Sequence, residues 1–257
     1  MVGFGIYFGM AAYKSNVLYE KTLHTIAKNS DIESMAKFKV EELKEKLSLG
    51  FFKNETKNRL LELEKLKKES KTSSRKYFIL YMILVGIVFI STLFHLYNSY
   101  LFLAIFSFIS LIFGLINPVL MITIHKNIEY LGDVILSFES KGILDSIYKL
   151  YEKSELVLAS VIFLFSVLLP LFKSAFIIFA VWFRDFVSKK KIITFFKYVG
   201  KYSMIDVFVI AILLVYLSSN SNDISDANIA QGLYFFLLYL FLSIFLYFKV
   251  ERELSLS

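Results

Sequence analysis

The chain has 257 residues, 57% hydrophobic and 18% aromatic, with a formal net charge of +7 and a mean hydropathy of +0.62. Two Pro, 28 Phe and long uncharged runs exclude a disordered or collagen-like chain and a soluble α/β enzyme. With no Cys there is no disulfide, thiol nucleophile, thiolate zinc site or iron–sulfur cluster, and His24, His95 and His125 lack metal-ligand spacing, so no metal or cofactor is expected.

The first 13 residues, MVGFGIYFGMAAY, are apolar up to Lys14 but lack the basic start and cleavage pattern of a signal peptide. Gly5 and Gly9 suit close helix packing, and the shortness of the segment points to a marginal anchor. Residues 14–76 carry 16 Lys/Arg against 10 Asp/Glu and read as a charged helical hairpin. Ser30 and Glu33 form a capping box before the stripe Ile32, Met35, Ala36, Val40, Leu43 and Leu47. Leu49-Gly50 breaks that helix. A second follows, with Leu60, Leu63 and Leu66 on one side and Glu64 and Lys68 spaced as an i,i+4 pair. No aromatics interleave with the basic residues, so no nucleic-acid partner is expected.

Apolar runs at 77–97, 101–124, 156–183, 202–217 and 232–248 approach the roughly 20 residues that cross a bilayer. The fourth reaches back to Thr194 if Lys197 and Lys201 snorkel. The expected fold class is an all-α polytopic membrane protein. Residues 184–201 hold six Lys/Arg and one Asp and should be cytoplasmic, whereas 218–231 (two Asp) and 125–155 (four Lys, six Asp/Glu) suit the outer side. Carrying the count upstream puts residues 14–76 outside, with residues 1–13 crossing the membrane. This six-span arrangement is favoured. The rival keeps 14–76 cytoplasmic, with 77–97 re-entrant or flat. In the outer loop, residues 133–139 (DVILSFE) alternate like a strand, and 143–147 are its expected partner after the Lys141-Gly142 turn.

Ionisable residues within spans are costly and mark function by default. Lys173 lies 11 residues from Arg184, roughly 16 Å into the membrane, and Asp206 five residues from Lys201, roughly 8 Å in. Ser243 lies at roughly 9 Å, so three successive helices bring polar groups to the inner half of the bilayer. A Lys173–Asp206 pair is the economical arrangement, with Ser243 adding a hydrogen bond. Pro170 frees the Ser166 carbonyl and should kink the helix one turn before Lys173. Read structurally, the pair would only set helix register. Pro118, beside Asn117, reads as a simple kink within its span.

VLLPLFKSAFIIF, with its P-x-x-K, and GKYSMIDVFVIAILLVYL resemble the two signature stretches of the paraquat-inducible protein A family. NSYLFLAIFSFISLIFGLINPVL resembles that family's first span, ILDSI the segment before its second, and Ser243 stands where Thr is common. Tyr202 replaces a usual Trp. The resemblance covers about residues 98–250 and divides the chain into 1–97, an anchor, charged helical arm and extra span, and 98–257, a family-like transmembrane domain. It implies a four-helix unit with a small extracytoplasmic sheet, similar to tetraspanins and claudins, here preceded by the arm and one or two extra spans. It further implies a multi-pass protein of the bacterial inner membrane that transports phospholipid with periplasmic mammalian-cell-entry (MCE) domain proteins. Lys173, Asp206 and Ser243 would form its polar network, supported by Pro170, Ser203, Asn117 and Pro118. Two departures stand out, because typical members carry Cys-rich zinc ribbons and often two membrane units.

The alternative function is a non-transporting scaffold that recruits an envelope partner through residues 14–76. No paired carboxylates, Ser/His set or metal cluster falls in the spans, so an enzyme is not expected.

Overall fold

The structure, a computed structural model, describes residues 1–29, 55–94, 99–128, 132–182 and 225–256. Four of its helices are long and apolar enough to cross a membrane, at Leu61–Leu93, Ser99–Ile116, Leu156–Phe179 and Gln231–Lys249. The expected fourth span, 202–217, lies outside the described residues.

Helix α1 (Val2–Asn29) runs through Lys14 without a break, so the short anchor and the start of the charged arm are one helix. No Gly or Pro occurs between Lys14 and Asn29 to stop it. The capping box and its stripe lie outside the described residues. Helix α2 (Glu55–Leu93) is also continuous for 39 residues, from the charged arm into the apolar run. On its arm Leu63 is half-buried and Leu66 is 37% exposed, and Lys65 pairs with Glu69 at 4.0 Å. Deeper in, Tyr81, Val85, Val88 and Thr92 are buried while Ile79, Ile83, Ile87 and Ile90 are exposed, a helix with one face in the bundle and one for lipid.

Helix α3 (Ser99–Ile116) is central and packs against α1, α2 and the two later spanning helices. Thr92 Oγ1 on α2 lies 3.5 Å from the Ser99 carbonyl, so α3 turns back antiparallel to α2. Gly5 faces the Phe106 ring, Gly9 faces Phe113 and Asn16 meets Asn117, so α1 runs parallel to α3. The two rings occupy the space that side chains at Gly5 and Gly9 would fill, which is the close packing expected of these glycines.

The expected span 101–124 is corrected. The helix stops at Ile116, and Pro118 opens strand β1 (Pro118–Ile128) instead of kinking a helix. Proline disfavours helical geometry in the preceding residue, and Val119 to Ile124 are mostly β-formers. Strand β2 (Gly132–Gly142) pairs antiparallel with β1, and strand β3 (Ser225–Ile229) pairs with its other edge, giving the order β2-β1-β3. Residues 133–139 are therefore a strand as expected, but their partner is β1. Residues 143–147 begin helix α4 (Ile143–Glu152), which buries Ile143, Ser146 and Leu150 on one face. Spacings of three and four residues in this stretch outweigh its short apolar look.

Val119, Leu120 and Ile122 join a core with Ile143 and Leu150 of α4 and with the spanning helices. Met121 and Phe138 face Leu23 of α1 instead. The sheet thus lies between the outer turns of α1 and the end of the bundle, and the Ser140 hydroxyl donates to Glu20. The C-terminal part of α1 and the sheet thus meet at one end of the bundle. Helix α2 is uninterrupted through Leu93 and packs along α1 and α3.

Candidate functional site

The third described span consists of helix α5 (Leu156–Phe163), a π-helical turn (Leu164–Leu168) and helix α6 (Leu169–Trp182). Pro170 has no N–H to give the Ser166 carbonyl. The expected kink takes the form of a π-turn, in which Leu169 N–H bonds back to the Leu164 carbonyl. Such turns inside helices are frequent at functional sites.

Residues Ile162, Ser166, Val167, Pro170, Lys173, Ser174 and Ile177 form one buried stripe, while Phe172 is 65% exposed on the lipid side. Lys173, at 8% exposure, thus turns into the bundle, as a charge within a span must.

The last spanning helix, α7 (Gln231–Leu256), starts at the sheet and runs the same way as α6. The Tyr239 hydroxyl donates to the Pro170 carbonyl at 3.5 Å. One turn further along each helix, on the same faces, stand Ser243 on α7 and Lys173 and Ser174 on α6. Ser243 is completely buried. Ser166, Ser174 and Ser243 hydroxyls are all buried without a hydrogen-bond partner among the described residues. An unpartnered buried hydroxyl costs roughly 1–3 kcal/mol, so three along one buried face, two of them (Ser174 and Ser243) at one level, call for a function or a bound molecule.

The structure therefore brings Lys173 and Ser243 to one level of the bundle, one turn beyond Pro170. Asp206 and Ser203 lie outside the described residues. Asn117 and Pro118 lie elsewhere, at the sheet end of α3. Asn117 is completely buried, donates to the Phe113 carbonyl at 2.9 Å and accepts from Asn16 at 3.4 Å. It caps the helix that Pro118 ends.

Sequence reasoning does not single out Ser166 and Ser174 as side chains, although both fall on the stripe through Pro170 and Lys173. Nor does it single out Asn16, although Gly5, Gly9, Ala12 and Asn16 recur on one helical face. Tyr81 is a further residue it misses. Its hydroxyl lies 2.8 Å from Ser110 Oγ and 3.2 Å from the Phe106 carbonyl, joining α2 to α3.

A family model for paraquat-inducible protein A matches residues 97–255, from α3 through α7. No curated protein and no solved structure matches the chain. With four apolar helices and a match over more than half its length, the chain is a multi-pass membrane protein that belongs to the paraquat-inducible protein A family.

Proposed function

We propose that this chain is the membrane subunit of a lipid-transport system in the bacterial inner membrane, working with a periplasmic MCE-domain protein. Lys173 and Asp206 change pairing or protonation as the bundle opens to phospholipid, and the role is transport, not catalysis. The observation that carries this reading is the burial of Lys173 at the level of the Ser174 and Ser243 hydroxyls, which have no hydrogen-bond partner among the described residues. A permanent structural pair has no use for unsatisfied hydroxyls, whereas a network that rearranges can use them in its second state. The basic connection 184–201, placed in the cytoplasm, puts the sheet and the arm on the periplasmic side, where the partner meets them.

In a strain that depends on this gene, Lys173→Ala and Asp206→Ala should insert normally and leave the envelope sensitive to detergent. Wild-type detergent resistance in both variants removes the mechanism.

The alternative, a scaffold acting through residues 14–76, draws on the solvated face of α2, where Arg59, Glu62, Lys65 and Glu69 are exposed. Under it, Lys173→Met/Asp206→Leu keeps function, and deleting the arm abolishes it.

A further inference from the structure

A cavity of about 520 Å³ opens where the arm, the sheet and the first turn of α7 meet. Its charged lining residues among those described are Lys71 and Arg75 of α2, with no Asp or Glu among them. The two cations sit six and two residues before Tyr77, where the apolar run of α2 begins, which is headgroup depth. Lys71 Nζ lies 5.9 Å from the centre of the Tyr19 ring, a cation–π contact that holds it over the opening. Between the two cations, Ser74 is already engaged. Its Oγ lies 3.0 Å from the Ala12 carbonyl and 2.8 Å from Gln231 Oε1, which fixes α1, α2 and α7 around the cavity. Asn16, Thr123 and Asn228 add polar groups to the wall.

The other end of the cavity is apolar. Phe78, Ile79 and Tyr234 line it, and Ile79 (46% exposed) and Tyr234 (48% exposed) continue onto the outer faces of the bundle. The lining therefore passes from two cations to an apolar exit within a single pocket. A free anion has no use for the apolar exit, and a neutral lipid has no use for a wall with two cations.

We propose that this cavity binds one anionic phospholipid, its phosphate against Lys71 and Arg75 and an acyl chain along Ile79 and Tyr234. The two cations come from the arm, outside the matched residues 97–255, and the sheet and α7 supply walls from within that range. It goes beyond the transport reading and stands without it, since a lipid held here needs no movement through the bundle.

The test titrates the full-length chain in maltoside micelles with palmitoyl-oleoyl phosphatidylglycerol, the matching phosphatidylcholine or inorganic phosphate, read by native mass spectrometry. Phosphatidylglycerol should bind about tenfold more tightly than phosphatidylcholine, and equimolar phosphate should not displace it. Lys71→Gln/Arg75→Gln should lose that preference, Lys71→Arg/Arg75→Lys should keep it, and Lys68→Gln/Lys76→Gln, with the same charge removed outside the cavity, should keep it too. Equal binding of the two lipids, equal loss in the two Gln pairs, or displacement by phosphate alone overturns the site. The transport mechanism is read by the detergent resistance of Lys173→Ala cells and the lipid site by the phosphatidylglycerol preference lost in Lys71→Gln/Arg75→Gln, so the two fail separately.

Discussion

Asn16 on α1 donates through Nδ2 to Oδ1 of Asn117 at the end of α3, 3.4 Å away and 101 residues along the chain. One residue belongs to the arm and the other to the matched family unit, and both are buried. The arm is thus built into the bundle, and its first helix completes the polar seal over the helix end that Pro118 creates.

Replacing Asn117 by Leu should therefore leave the Asn16 amide buried without its acceptor. We expect a loss of about 1–3 kcal/mol, seen as a lower thermal midpoint in detergent. Asn16→Leu/Asn117→Leu should regain part of it, because no buried amide is left unpaired. A single variant as stable as wild type would show the contact to be incidental.

Gly9→Ala tests whether α1 packs as a spanning element. The new methyl meets the Phe113 ring, and Gly5 stands in the same relation to Phe106. Overpacking of this kind costs about 1–3 kcal/mol. Gly9→Ala/Phe113→Leu should restore much of the thermal midpoint, whereas Gly3→Ala, with open space around it, should leave it unchanged.

The contact between arm and sheet should weaken as pH rises. Burial raises the Glu20 carboxyl above its ordinary 4.5, and the Asp145 charge adds to the shift. Below that ordinary value Glu20 is protonated in both the folded and the unfolded chain and contributes no difference. As pH climbs through the raised folded value, the unfolded chain ionises more readily and stability falls. Glu139 behaves in the opposite sense, held low by its hydrogen bond from Lys149 at 2.7 Å, so its contribution is lost as pH falls. Melting curves across this range should flatten above pH 4.5 in Glu20→Gln. An unchanged slope would mean that Glu20 is solvated in solution.

Ser243→Ala separates function from packing in the polar stratum. The hydroxyl has no partner among the described residues, so removing it should leave the thermal midpoint unchanged or raise it, by up to about 1 kcal/mol. Detergent resistance of cells carrying the variant should nevertheless fall. Full resistance would leave Ser243 as a packing residue.

Much of the candidate site is legible in the amino-acid sequence. Lys173 has to turn inward because a charge facing acyl chains is too costly, and it does. Pro170 has to free a carbonyl one turn upstream, and the chain takes up the deficit as a π-turn. The orphaned hydroxyls are not legible there, because a serine in a helix normally bonds its own backbone, and only packing shows which ones do not. The cavity at Lys71 and Arg75 is equally hidden, since its walls are joined by contacts such as Ser74 with Gln231, 157 residues apart.

The membrane class, the four described spans and the polar level on α6 and α7 follow from hydropathy and spacing alone, because lipid imposes the same demand on every spanning residue. The sheet does not follow. Residues 119–124 look like more of the preceding helix, since β1 is covered on one face by α4 and the bundle and on the other by α1, and so shows no alternation. The tertiary structure alone decided that this run is a strand, that β3 comes from the distant segment 225–229, and that the charged arm packs onto β2 and Met121 of β1. Strand pairing joins backbones far apart in the chain, and local residue pattern carries no record of which distant segment will supply the partner.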